Sequence, residues 1–153
     1  VDVIVDNRQN KIQLNDKLIN LVKKVVEKCL NEEGIKQDVE ISISFVDNNE
    51  IRELNKNFRD KDTKTDVLSF PQYDNIEMIK SLDTKIILGD IVISLEKARE
   101  QSVEYGHTFE REVAFLTAHS MYHLFGFDHD TEENTKIMRQ KEEKVLKDLG
   151  ILR

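Results

Sequence analysis

The sequence holds one cysteine and one proline, and it has no apolar run approaching the ~20 residues that cross a bilayer. A lone thiol, Cys29, excludes an internal disulfide, and its neighbours Val25, Val26 and Leu30 predict that it is buried. That usage fits a reducing, cytoplasmic compartment. The start shows no basic segment followed by an apolar one, so no signal peptide is expected. Basic residues are also in deficit. Lys and Arg number 23 against 30 Asp and Glu, giving a net charge of −7. This disfavours a broad nucleic-acid surface, since phosphate affinity comes mostly from Lys and Arg, but it leaves room for a local basic cleft.

What is present suits one domain over residues 1–153 with a single core. "VDVIVDN" alternates as a strand. "NDKLINLVKKVVEKCLNEEG" places Leu18, Val22, Val25 and Cys29 on one helical face, with Asn15 or Asp16 as cap and Gly34 as stop. "DVEISISFVD" alternates again, and Asp47 with Glu50 starts a short helix carrying Ile51, Leu54 and Phe58. "RDKDTKTD" reads as a polar loop and "VLSF" as a short apolar run stopped by Pro71. Residues 72–85 read as irregular and exposed. "KIILGDIVISL" reads as a buried strand, with Asp90 its one odd feature. Helices follow over about Leu95–Tyr105, from a Thr108 cap to about Phe125, and over about Thr131–Leu149. The expected class is α+β: a small mixed β-sheet flanked by about five helices.

Three of the four histidines fall within "HSMYHLFGFDH". His119 and His123 are four apart, hence on one helical face, and Gly126 lets the chain turn so that His129 can return. Three imidazoles suit Zn²⁺ or another late first-row divalent ion and leave a coordination position open. An ion so held lowers the pKa of a bound water from 15.7 towards ~7, which favours a catalytic over a structural metal. The ligand spacing is that of metzincin proteases, which place a glutamate base directly after the first histidine. That position is Ser120 here, and a serine hydroxyl cannot act as that base.

A second constellation is "FRDKDTKTDVLSFP". Arg59, Lys61 and Lys64 are basic in an acidic chain, and Thr63, Thr65 and Ser69 add hydroxyl donors. Asp66 can orient a loop or a ligand histidine. The same composition also suits a solvated connecting loop.

The histidine motif, "TDVLSFP" and "LGDIVIS", in that order, resemble the YbeY family of bacterial rRNA maturation factors and metal-dependent endoribonucleases. The resemblance covers nearly the whole chain. It implies zinc, one per chain, held by His119, His123 and His129, with Ni²⁺ or another divalent metal as the substitute. It implies hydrolysis of single-stranded RNA in the 3′ maturation of small-subunit rRNA and in ribosome quality control. The family's conserved arginine falls on Arg59, at the mouth of the metal cleft, where it would bind substrate phosphate. The implied partners are rRNA and the small ribosomal subunit, with a ribosomal protein and a ribosome-associated GTPase as further candidates, and neither membrane nor DNA. The chain departs from the family's usual H-G-x-L-H-L-x-G-Y-D-H at Ser120, Tyr122 and Phe127.

The expected chemistry is metal-assisted phosphodiester hydrolysis. His119 and Arg59 are the catalytic candidates, Arg59, Lys61 and Lys64 the substrate-binding ones, and Asp66 and Asp128 the orienting carboxylates. Two rivals remain: a metal-dependent hydrolase of peptides or amides, and a non-catalytic ribosome assembly factor with a structural metal.

Overall fold

The computed structural model describes residues 1–63 and 65–151. Strand β1 (Asp2–Asn7) leads into helix α1 (Asp16–Glu32), followed by β2 (Val39–Val46), α2 (Asn48–Arg59) and β3 (Val67–Pro71). Then come α3 (Ile76–Lys80), β4 (Ile86–Ser94), α4 (Leu95–Tyr105), α5 (Phe109–Leu124) and α6 (Glu132–Asp148). The sheet order is β1-β2-β4-β3. β2 runs parallel to both β1 and β4, while β3 is antiparallel to β4 at one edge. The class is the expected α+β.

Alternation in β2 turns Val39, Ile41, Ile43 and Phe45 into the core. They meet the apolar face of α1, whose Leu18, Val22, Val25, Val26, Cys29 and Leu30 are buried. Asn15 caps that helix by accepting from the Leu18 N–H. Burial pushes the Cys29 thiol well above its ordinary pKa, as its apolar neighbours foretold. Helix α5 lies at the centre, packed against α1, α4, α6, β3 and β4. It therefore has one side in the core and one end beside the sheet's β3 edge.

One expectation fails. Residues 72–85 are not wholly irregular and exposed: they contain α3, capped by Asn75 and anchored by fully buried Ile79. This makes a sixth helix where about five were expected. The loop before it also packs on Gly126, where an added Cβ would lie 2.5 Å from the Asp74 carbonyl oxygen. Gly126 has φ +94°, so glycine is required there both by space and by backbone.

Candidate metal centre

Helix α5 begins at a Thr108 cap and presents His119 and His123 from its last turns. Their Nε2 atoms lie 3.1 Å apart. Two nitrogens sharing a tetrahedral ion at Zn–N distances of about 2.0–2.1 Å would be roughly 3.3 Å apart. The chain leaves α5 through Phe125 and Gly126, and His129 returns from the following loop. One ligand nitrogen from each of the three histidines falls within 4.8 Å of the others. This set can hold a metal ion.

The partners of the other ring nitrogens fix which atoms are left to face an ion. The Phe127 carbonyl, 3.0 Å from His123 Nδ1, can only accept, so Nδ1 carries the proton and Nε2 keeps its lone pair. His119 Nδ1 lies 3.2 Å from both carboxylate oxygens of Glu142, on α6. That carboxylate is buried, with 1% of its side chain exposed. A carboxylate behind a ligand histidine fixes its tautomer and raises its basicity. Phe115, one turn earlier, stacks on the His119 ring with centroids 5.9 Å apart. Desolvation, and then the neighbouring His119, lower the His123 pKa, which keeps that imidazole neutral and ligand-ready.

Glu142 was not foreseen. Its signal was an acid on the apolar stripe of α6, four residues after buried Met138 and three before buried Val145.

The other expected residues divide. Asp128 Oδ1 accepts from the His129 backbone N–H at 2.7 Å and lies 3.5 Å from His129 Nδ1, so it orients that loop. Asp66 makes no such contact with a histidine among the described residues; it accepts from Val67 N at 2.8 Å and from Gln101 Nε2 at 3.2 Å, fixing its own loop. Arg59, at the end of α2, donates to the Ser69 carbonyl and sits 5.5 Å from the centroid of Phe70. It lines a cleft of about 530 Å³ together with His119, His123 and His129. Asp66 and Asp128 line the same cleft. Lys61 is exposed and outside that lining, and Lys64 lies outside the described residues.

The three departures resolve differently. Ser120 is fully buried, and its hydroxyl has no hydrogen-bond partner among the described residues. Tyr122 is buried as well and donates to Glu33 Oε2 at 3.2 Å. Phe127 packs edge-on against Tyr122. No helix among the described residues is long and apolar enough to cross a membrane.

The family model described as "Endoribonuclease YbeY" matches residues 4–150. A curated Clostridioides difficile protein of that name is 53% identical, covering 100% of this chain and 99% of its own. One from Thermoanaerobacter sp. is 54% identical, covering 99% of each chain. A Thermotoga maritima protein of known solution structure superposes with a TM-score of 0.62 at 27% identity, covering 96% of this chain and 91% of its own.

Proposed function

The chain belongs to the endoribonuclease YbeY family, an enzyme of RNA phosphodiester hydrolysis by that membership, and we propose that His119, His123 and His129 hold a catalytic Zn²⁺ beside an Arg59 phosphate site. The observation that carries this is the shared cleft: the Arg59 guanidinium and the three imidazoles line one concavity. When bound, such an ion supplies Lewis-acid polarisation of a phosphoryl oxygen and a nucleophile at neutral pH.

The residues supply the rest. The Glu142 carboxylate and Phe127 carbonyl hold two imidazoles with Nε2 outward. Asp128 steadies the third from its loop. Arg59 uses one N–H on the Ser69 carbonyl and packs on Phe70, which holds its fork in place. Its other N–H groups can grip a phosphate bidentately and stabilise charge as it develops. Asp66 keeps the β3 entry loop closed against α4 through Gln101. Lys61, being exposed, contributes long-range attraction.

The substrate is single-stranded RNA, with the 3′ end of small-subunit rRNA as the physiological target, and the whole chain works as one cytoplasmic domain. A net charge of −7 makes free RNA a weak ligand, so the small subunit presents the strand. The peptide-hydrolase alternative lacks its base, because the position after His119 is a buried serine.

The test is elemental analysis of purified protein followed by cleavage of a single-stranded RNA with and without chelator. Arg59→Ala should retain metal and lose about 100-fold or more in kcat/KM, the scale of removing one transition-state donor. Native cleavage by that variant would remove the role given to Arg59.

A further inference from the structure

The histidine triad borders a second concavity, a cavity of about 710 Å³ that shares Asp66, His119 and His129 with the Arg59 cleft. Arg139 reaches into its lining from α6, with the guanidinium carbon 5.5 Å from the Phe115 ring centroid. Phe115 in turn stacks on His119. The arrangement repeats the one across the site, where Arg59 lies 5.5 Å from the Phe70 centroid. Arg8, Arg52 and Arg111 are committed to carboxylates. Among the described residues, Arg59, Arg99 and Arg139 have no carboxylate at ion-pair distance, and of these Arg59 and Arg139 line the two concavities that share the histidines.

The acids lining this cavity each have a hydrogen-bond donor of their own. Glu112 is met by His107 at 2.8 Å and by Gln101 at 3.2 Å. Glu143 accepts from Arg111, and Asp66 from Val67 N and Gln101. Arg139 is the one cation of this lining with no carboxylate partner among the described residues. Exposed Tyr105 shares the lining and tilts against His107, offering an aromatic face. A cation with an aromatic platform is how single strands are gripped without sequence preference. The volume is that of an ordinary small-ligand site, ample for one nucleotide.

We propose that Arg139 binds a second phosphate of the same RNA strand, so that the strand crosses the metal site from the Arg59 cleft into the Arg139 cavity, with a flanking base against Tyr105. This rests on the phosphodiesterase reading above and adds a binding residue to it. Arg59 holds the reacting segment; Arg139 holds the strand beyond it and fixes which stretch lies over the histidines.

The test is equilibrium binding of a labelled, phosphorothioate-linked RNA of about twelve nucleotides, which keeps one negative charge per linkage and is slow to hydrolyse, to the full metal-loaded chain, as a function of salt, with electrophoresis checking that the strand stays intact. Arg139→Ala should keep its metal, weaken binding about 10-fold at low salt, and reduce the log–log salt slope by about 0.7, the share of one phosphate on a single strand. Arg139→Lys should restore the slope while recovering only part of the affinity, because it keeps the charge and loses the fork. Wild-type affinity and slope in Arg139→Ala, with Arg59→Ala impaired, would overturn this inference and leave the endoribonuclease reading standing. Loss of metal in Arg139→Ala would also overturn it, since the residue would then act through His119. Failure of the metal-loaded wild-type protein both to bind this RNA at low salt and to cleave single-stranded RNA would bring down both.

Discussion

His119 and His123 leave a buried helix, whereas His129 leaves a loop that solvent reaches. The helical pair has its spare nitrogens tied to Glu142 and to the Phe127 carbonyl. The His129 side chain is 56% exposed, and its neighbour Asp128 is 62% exposed. Two ligands are thus pre-placed by the fold, and the third must be ordered at some entropic cost when an ion binds. Metal affinity should be set mainly by the α5–α6 half, and metal exchange by the loop.

The largest expected effect separates the halves directly. His119→Ala and His129→Ala should each abolish stoichiometric metal retention, read by elemental analysis. Only His119→Ala leaves a buried carboxylate without its partner, so it alone should lower the stability of the metal-free protein, by about 1–3 kcal/mol. His129→Ala should stay within about 0.5 kcal/mol in denaturant unfolding, as an exposed position does. Equal destabilisation would break the comparison. Next in size is Glu142→Gln, which keeps the shape and removes the charge behind His119. It should weaken metal binding about 10–100-fold. Asp128→Asn, at the exposed end, should weaken it less; the reverse order in a competition titration would show that the loop, and not the helix, governs affinity.

The difference between the halves also explains what the sequence made legible. A four-residue spacing inside a helix fixes two side chains on one face, so the His119–His123 pair could be read from local geometry alone. Asp128 could be read because it adjoins its ligand. Glu142 stands 23 residues from the histidine it supports, and only the packing of α6 on α5 joins them. The hint lay on the buried face of α6, since an acid between Met138 and Val145 cannot be buried without a partner. Helix α3 was illegible for another reason. Five residues are too few to show a period and far below the length at which an isolated helix holds. Its existence depends on Ile79 reaching the core and on the Asp74–Asn75 backbone closing over Gly126. Gly126→Ala tests that dependence. A Cβ at φ +94° and 2.5 Å from a carbonyl oxygen should destabilise the fold by about 1–3 kcal/mol and loosen the turn that aims His129. Thermal unfolding and metal titration of one variant read both effects.

The smallest effect concerns protons. Desolvation, and after it the His119 neighbour, depress the folded pKa of His123. An unfolded histidine titrates near ~6.5. Between that value and the lower folded one, the unfolded chain takes up a proton that the folded chain refuses. The stability contributed by this residue is therefore fully present above about pH 6.5 and is lost as pH falls through the folded pKa. Denaturant unfolding of the metal-free protein between pH 8 and pH 5 should show stability declining on the acid side, and His123→Gln should flatten part of that decline. A slope of opposite sign would mean that protonation is favoured at His123 in the folded state. The helix half would then be no better prepared to present a bare nitrogen than the loop half, and the pre-placed pair would owe its geometry to the ion.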